Sequence, residues 1–320
     1  MNKYFLFIAT SALLMAACNK LQQEEEEPVI PETGIITMTT KASEVMFFIR
    51  IPSETDVFID WGDGIKSNIN DADYIDDWNY SGYIEYQFRH YYSGVSEHRI
   101  SITGDNIVRL ECDNNQINTL DVSGTSALRE LYCGINQLTE LDVRRNTELK
   151  VLYCYRNQLT TLDVSRNTAL TDLTCSNNEL TALDVSRNTA LKSLNCSSNE
   201  LTALDVSRNT VLEFLICGYN KLTVLDVSRN TELLNLSCGG NQLTKLDMSG
   251  NISLIRMSCD KNQLTATALN DMFGTIRCYS CFPSYTKHYY IQYLWIQGNP
   301  GTADCDINIA RDKGWYVVSE

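Results

Sequence analysis

Eight cysteines of this chain recur at a constant spacing, and this spacing limits the possible folds more than any other feature of the sequence. They lie at Cys112, Cys133, Cys154, Cys175, Cys196, Cys217, Cys238 and Cys259, each 21 residues after the one before. A fixed period of this length arises when one small structural unit is stacked many times, because each unit buries its apolar side only against its neighbours. The sequence therefore predicts a solenoid with one cysteine per coil.

The residues around each cysteine repeat as well. They follow the pattern LxxLxCxxNxLTxLDVSxNTx, which residues 170–189 and 191–210 match almost letter for letter. This pattern resembles bacterial leucine-rich repeats of the short 21-residue class, in which cysteine or another apolar residue replaces one of the usual leucines. The resemblance covers residues 107–269 and implies a mostly β solenoid of about eight 21-residue coils, which we assign to residues 106–265.

Apolar alternation within each repeat predicts one short strand per coil. Leu131 and Cys133 are two positions apart, so both point inward from an extended segment while Tyr132 faces solvent. Asn136 follows three residues after the cysteine, and the same offset holds in every repeat. A buried asparagine can satisfy backbone groups in a sharp turn, so we interpret this column as structural. The strands should stack as a parallel sheet, about 4.8 Å apart.

The second half of each coil returns the chain to the next strand. Leu138, Leu141, Val143 and Asn146 repeat the spacing of the first half, and each return path has only ten or eleven residues. That length is too short for an ordinary helix with its connections. We therefore expect extended or bulged backbone without convex helices, with a second ladder of short strands as one possibility.

Side chains that are in register on parallel strands point the same way rather than at each other. For the cysteine column this favours reduced, packed thiols over disulfides. A metal–thiolate array is the least favoured interpretation, because ligands along a line do not enclose an ion tetrahedrally.

The first residues predict export from the cytoplasm. Residues 1–17 combine a lysine, a short apolar run and small residues, which is the pattern of a secretory signal peptide. Residues 14–18 resemble a lipobox, which implies acylation of Cys18, attachment to a membrane and, since Asn19 is not aspartate, an outer-membrane location. Residues 18–33 contain an acidic run and are predicted to be a solvated tether. The acidic run is also similar to the surface-export signals of Bacteroidetes lipoproteins, which implies surface exposure.

Residues 34–105 contain short alternating apolar segments separated by turn signals, a pattern that favours a small antiparallel β-sandwich. The order of a WGDG turn at residues 61–64 and then His90 and Tyr91 resembles the PKD-type immunoglobulin-like module. Asp60, Asp63 and His90 are residue types used in hydrolysis. We nevertheless favour a structural role, because Asp-Gly is a strong hairpin signal and Trp61 has the character of a core residue.

Residues 266–320 break the 21-residue period. Leu269, Met272, Phe273 and Ile276 have helical spacing, and a strand, a short helix and a final strand are expected after them. This α/β segment is predicted to cap the open end of the solenoid. Cys278 and Cys281 form a CxxC pair, and packing or one structural disulfide that could include Cys305 is favoured over redox or metal chemistry.

Function is expected to lie in the solvent-facing positions of the cysteine strands, because packing fixes the inward ones. Two groups of aromatic and apolar residues stand out there: Tyr132, Tyr153 and Tyr155, and about three coils away Phe214, Ile216 and Tyr219. Such anchors beside polar neighbours are typical of protein or glycan interfaces. The competing interpretation is that they are scattered β-favouring residues that bind nothing.

These observations favour a non-enzymatic cell-surface protein that binds a protein or glycan, for example in adhesion or host interaction. The sequence has only three histidines and shows no convergent set of acid, base and nucleophile, so an enzyme is not favoured, and no cofactor or metal is expected. A formal charge of −14 and a pI near 4.7 argue against nucleic acid. The alternative function is a structural spacer in an outer-membrane assembly, and in either case we expect a monomer.

Overall fold

The structure, a computed structural model, describes residues 34–52, 55–75, 82–94, 96–278 and 291–320. The predicted signal peptide, the acidic tether with Cys18, and Cys281 lie outside the described residues. Within those ranges, no helix is both long enough and apolar enough to cross a membrane.

Seven strands and a short helix are described before the first coil. The strands are β1 (Ile35–Thr40), β2 (Glu44–Pro52), β3 (Val57–Asp60), β4 (Lys66–Asn68), β5 (Asp73–Ile75), β6 (Tyr83–Tyr91) and β7 (His98–Gly104). A 3-10 helix, Ile69–Asp71, follows β4 and is capped by the side chain of Asn68. Burial alternates along β1, β2 and β7, because successive side chains point to opposite faces of a sheet.

The coils supply one strand each on the same side of the solenoid. These strands are β8 (Arg109–Glu111), β10 (Glu130–Tyr132), β11 (Val151–Tyr153), β12 (Asp172–Thr174), β13 (Ser193–Asn195), β14 (Phe214–Ile216), β15 (Asn235–Ser237) and β16 (Arg256–Ser258). Each is three residues long and pairs in parallel with the next, with the central residues in register. The far side of the first coil adds β9 (Ile117–Asp121), which pairs antiparallel with β1.

The interior of the solenoid is filled by columns of identical side chains. In the fourth coil Leu170, Leu173 and Cys175 are all fully buried, and the equivalent residues of the other full coils are buried in the same way. All eight ladder cysteines are free thiols. Burial raises the pKa of every one of them, to about 12 at Cys154 and Cys196. Each thiol therefore serves as a small apolar side chain rather than as a nucleophile.

Two asparagine columns join consecutive coils. In the first column, Asn178 donates its amide to the carbonyl of Cys175 in its own turn (3.1 Å) and to that of Cys154 in the preceding coil (3.0 Å). Its Oδ1 accepts the backbone N–H of Leu159 (3.0 Å), also in the preceding coil. In the second column, Asn188 donates to two carbonyls of the preceding coil, at 2.8 and 3.0 Å. The structural interpretation of these residues is confirmed.

The return side of the coils consists of turns rather than strands. Within residues 106–278, which are described without a gap, β9 is the only strand on that side, so the possible second ladder is wrong beyond the first coil. An aspartate column closes these turns: Asp184 Oδ1 accepts the backbone N–H of Ser186 at 2.8 Å, and Asp163, Asp205, Asp226 and Asp247 do the same. Such local bonds favour turns over strand pairing. Asp121 makes this bond too, but its coil forms β9 because β1 is there to pair with it.

The last segment continues the solenoid instead of only closing it. After α1 (Ala266–Thr275), capped by Thr265, the chain forms β17 (Gln292–Trp295), α2 (Asn308–Arg311) and β18 (Trp315–Val318). β17 pairs in parallel with β16, and β18 pairs in parallel with β17. Asn299 donates to the carbonyls of Cys259 (3.0 Å) and Ile296 (2.8 Å), so it occupies the position of a ladder asparagine.

At both ends, the strands of the solenoid are therefore hydrogen-bonded to the strands of the flanking segments. The long sheet has 13 strands in the order β18-β17-β16-β15-β14-β13-β12-β11-β10-β8-β2-β6-β5. A second sheet has five strands in the order β4-β3-β7-β1-β9. Because β8 pairs with β2 and β9 pairs with β1, the first coil is bonded on both sides to the N-terminal strands. The N-terminal strands therefore cover the apolar end of the first coil, and no linker separates them from it.

The cysteines outside the ladder differ in state. Cys278 is disulfide-bonded, whereas Cys305 is a free, partly buried thiol that donates to the carbonyl of Thr302 at 3.4 Å. The interpretation of one structural disulfide thus applies to Cys278 and excludes Cys305.

We expect Asn178→Ala to lower the free energy of unfolding by about 3 kcal/mol, because it leaves several buried backbone groups without partners. Asn195→Ala is the matched control, since Asn195 is only half-buried and bonds to Ser197 on the solvent side. It should cost less than about 0.5 kcal/mol. Urea unfolding followed by circular dichroism measures both. Equal losses would contradict a special role for the column.

Thiol alkylation should distinguish the ladder cysteines from Cys305 by their reactivity. At about pH 8, near the usual thiol pKa, iodoacetamide should modify Cys305 slowly and spare all eight ladder cysteines until the chain unfolds. Peptide mass mapping before and after addition of denaturant measures this. Labelling of Cys175 or Cys196 in the native state at the rate of Cys305 would show that the ladder opens locally.

Candidate functional site

The solvent side of the long sheet is a regular grid, which we call the ladder face. It comprises the outward residues of β8, β10–β18 and the positions just after them, arranged as three columns with one row per strand. Neighbouring rows are about 4.8 Å apart, and positions within a row are about 6.6 Å apart, because outward residues alternate along each strand. The first row is Arg109, Glu111 and Asp113, and the last is Tyr316, Val318 and Glu320.

The second and third rows bring the three predicted tyrosines together. The rings of Tyr132 and Tyr153 meet edge to face, with centroids 5.1 Å apart and planes at 75°. Tyr155 lies across Gly134, where an added Cβ would come within 2.5 Å of the ring. Glycine at this position therefore makes room for the third ring. The result is a half-exposed aromatic surface on backbone that is fixed by the ladder.

An ion-pair network borders this surface on the side of the N-terminal strands. The guanidinium of Arg109 lies 4.4 Å from the centre of the Tyr132 ring, pairs with Glu130 at 2.8 Å and also bonds to Glu111. Arg50 of β2 pairs with Glu130 at 3.4 Å and with Glu85 of β6 at 2.5 Å. The network therefore spans the junction between the N-terminal strands and the first coils, and it holds Tyr132 from one side.

Burial changes the acidity of two groups in this region. It raises the pKa of Tyr132 to about 12, so that the hydroxyl is a neutral hydrogen-bonding group near neutral pH. It also raises the pKa of Asp113 to about 6, although the N–H of Gly134 donates to that carboxylate and partly opposes the effect. Asp113 thus changes charge close to neutral pH, next to the tyrosines.

The second predicted group spans a strand and the turn that follows it. Phe214 and Ile216 occupy the same row, and Phe214 is 40% exposed. Tyr219 is 57% exposed but belongs to the turn after the strand, where its backbone has φ 54° and its ring lies over Gly240. Lys261 approaches that ring, with Nζ 5.6 Å from its centre. Tyr219 therefore contacts residues of the two following coils.

A third aromatic group was missed in the sequence. Tyr293 stacks on Trp295 at 5.4 Å and meets Tyr316 edge to face at 5.5 Å, in the last two rows of the ladder face. The period that located the other rows fails after residue 264, because α1 and the residues after it are inserted before β17. The signal that could have found the ninth row is the spacing Leu294, Ile296, Asn299, which repeats the Leu-x-Cys-x-x-Asn order.

The residues considered for hydrolysis form a turn cluster. His90 Nε2 and Asp63 Oδ2 are 2.7 Å apart, and the His90 ring stacks on Trp61 at 4.7 Å. Asp60 accepts the N–H of Gly62, and Tyr92 donates to the carbonyl of Trp61 at 2.7 Å. These contacts tie the turn after β3 to β6, and this arrangement agrees with the structural interpretation.

Asp113 provides a test of the electrostatics. Because its pKa rises from 3.8 to about 6 in the folded chain, the folded state holds the proton more tightly than the unfolded state. Ionisation therefore disfavours the fold, with no cost below about pH 4 and the full cost above about pH 6. Asp113→Asn should raise the free energy of unfolding at about pH 7.5 and leave it almost unchanged at about pH 4. Urea unfolding at several pH values measures this, and a pH-independent effect would contradict the raised pKa.

No family model matches the sequence, and no curated protein does either. Solved structures do match. The leucine-rich repeat domain of APL1B has a TM-score of 0.51 and 21% identity, with 65% of this chain and 60% of that chain covered. The Leptospira interrogans leucine-rich repeat protein LIC12759 has a TM-score of 0.50 and 20% identity, with 65% and 59% covered.

A functional domain of InlJ from Listeria monocytogenes, whose structure includes a cysteine ladder, has 27% identity and a TM-score of 0.49, with 68% and 55% covered. The chain spans somewhat more than half the length of each of these proteins. The two matches with TM-scores of at least 0.5 are both leucine-rich repeat proteins, and they support the fold alone. The chain thus folds as a mostly β leucine-rich-repeat solenoid of about nine turns.

Proposed function

We propose that this chain is a non-enzymatic binding protein that recognises a protein or glycan through its ladder face. The observation that carries the proposal is the contact between Tyr132 and Tyr153, with Tyr155 beside them over Gly134. Large aromatic side chains that are partly exposed on rigid backbone lose little conformational entropy when a ligand covers them. The neighbouring acidic and basic groups of Arg109 and Glu130 supply a polar rim.

The surroundings of the tyrosines fit recognition better than chemistry. In the described residues no group of three histidine, cysteine, aspartate or glutamate side chains is arranged to hold a metal ion. The ladder thiols are buried, and the Asp63–His90 pair is packed into a turn on the N-terminal strands. Binding at the ladder face requires none of these groups.

We further propose a location at the cell surface. The proposal rests on the sequence alone: a signal peptide over residues 1–17, acylation of Cys18 and the acidic tether up to residue 33. In this arrangement the lipid anchors the chain to the outer membrane and the tether holds the solenoid away from it. Adhesion or host interaction would use the ladder face from that position. Removal of the protein from intact cells by added protease tests surface exposure.

A structural spacer is the second candidate function. The observation that favours it is the unbroken hydrogen bonding of the long sheet from β5 to β18, which makes the described chain one continuous scaffold. A spacer would keep its membrane partners when the ladder face is changed.

Replacement of Tyr132, Tyr153 and Tyr155 by alanine should abolish binding. Loss of one buried aromatic anchor typically costs about 2 kcal/mol, or roughly thirtyfold in affinity. A pull-down from intact cells identifies the ligand, and a protein or glycan array then measures the affinity of the triple variant.

Thr174→Ala is the matched control, because Thr174 occupies the same column one row further along. Its affinity should match that of the original chain. Unchanged binding by the triple variant would move the site away from these tyrosines. Co-purification of the same membrane partners with the triple variant would favour the spacer.

A further inference from the structure

The ladder face has a second candidate site at its C-terminal end. A concave region of about 690 Å³ lies over the last coils, with Trp295 and Gln297 from the ninth row on one side. Asn235, Ser237, Arg256, Ser258 and Asp260 from the two preceding rows line the rest, together with Lys261 and Glu320. Its nearest row, with Asn235 and Ser237, is four rows away from Tyr153, so the region is separate from the tyrosine surface described above.

Trp295 forms an apolar wall that is held in place by other rings. Tyr293 stacks on it with the ring planes at 19° to one another, and Tyr316 packs edge-on against Tyr293 with 59% of its surface exposed. Because aromatic pairs prefer a defined geometry, the Tyr293 ring restrains the orientation of Trp295. A ligand that meets it does not have to order it first.

The polar side chains around Trp295 have unused hydrogen-bonding capacity. In the part of the chain that the structure describes, the side chains of Asn235, Ser237 and Arg256 have no hydrogen-bond or ion-pair partner, and neither does the indole N–H of Trp295. By contrast, Ser258 donates to Asp260, and Gln297 donates to the carbonyl of Glu320 at 3.1 Å. Four side chains with unpartnered donors or acceptors therefore line one concave region.

The charges in this region balance. Arg256 and Lys261 are cationic, and Asp260 and Glu320 are anionic. Lys261 is also drawn towards Tyr219, with Nζ 3.4 Å from the hydroxyl oxygen. Such a mixture does not attract a strongly charged polymer of either sign, because the two positive and two negative charges of this region largely cancel at longer range. It suits a neutral ligand that both donates and accepts hydrogen bonds.

A pyranose ring has this chemistry. One face of the ring presents C–H groups that pack on an aromatic wall, while its hydroxyls point outward as donors and acceptors. We propose that the region binds a neutral sugar residue of a glycan, with the C–H face against Trp295 and the hydroxyls bonded to Asn235, Ser237 and Arg256. The inference rests on the proposed function, since it assigns a ligand class to one end of the same face.

Affinity electrophoresis of the folded protein in gels that contain a soluble neutral polysaccharide tests this. Glucan, mannan, xylan and galactan are the probes, and isothermal titration with the corresponding tetrasaccharide gives the affinity. We expect at least one probe to retard the protein, and Trp295→Ala to weaken that binding about tenfold or more. Asn235→Ala with Ser237→Ala should also weaken it, without loss of the aromatic packing.

Two controls keep the outcome clear. Ile252→Ala removes an apolar side chain that is 57% exposed near Met248 and Thr275, away from the concave region, so its binding should match that of the original chain. Trp295→Phe retains an aromatic wall and loses the N–H, so it should bind with intermediate affinity. Thermal unfolding shows whether each variant is folded.

The tyrosine triple variant separates this inference from the proposed function. It should still bind the polysaccharide, because Trp295 is unchanged. Failure of all four polysaccharides to retard the original chain would overturn the inference, as would equal binding by Trp295→Ala or binding of a peptide at Trp295 in place of sugar. Polysaccharide binding that depends on Tyr132, Tyr153 and Tyr155 alone would overturn it too and leave the proposed function intact.

Discussion

The hydrogen bonds of the first asparagine column are the interaction on which the rest of the structure depends. A three-residue strand is too short to hold its own position, and the turn after it leaves buried carbonyl and N–H groups without partners. Asn178 satisfies groups of its own coil and of the coil before it with one side chain. Register is thereby transmitted from coil to coil, and the leucine and cysteine columns pack as a consequence.

Packing constrains only the inward side chains of the coils, so it does not determine the residues on the solvent side. Tyr153, Thr174 and Asn195 occupy equivalent positions on successive strands, although they differ in size and polarity. The backbone is the same beneath all three. Side-chain character can therefore differ from row to row, and the two aromatic groups near opposite ends of the ladder face are the clearest examples. The Arg109 network and the ring stack at Trp295 fix these groups from the side.

The repeat itself could be predicted from the sequence because its constraints are local and periodic: Leu131, Cys133 and Asn136 recur at fixed offsets, and each offset has a physical meaning. The turns on the return side were harder to predict, since Asp184 and Val185 are compatible with an extended segment until the bond to Ser186 is known. The ninth turn was hidden by an insertion that changes the spacing but not the packing of Leu294 and Asn299. Tyr219 has a left-handed backbone with φ 54°, which tyrosine rarely adopts, so its contacts with Gly240 and Lys261 could not be predicted from the strand pattern.

The eight ladder thiols have a consequence for how the chain must reach its folded state. They are chemically equivalent and widely spaced, so an unfolded chain in an oxidising compartment has roughly 105 ways to pair them, and the solenoid contains none of those pairs. The coils must therefore stack before the thiols are oxidised, because a disulfide formed earlier between two coils would prevent their correct stacking. Once the coils close, burial removes the thiolate that exchange requires. The folded solenoid thus protects its own thiols from oxidation by burying them.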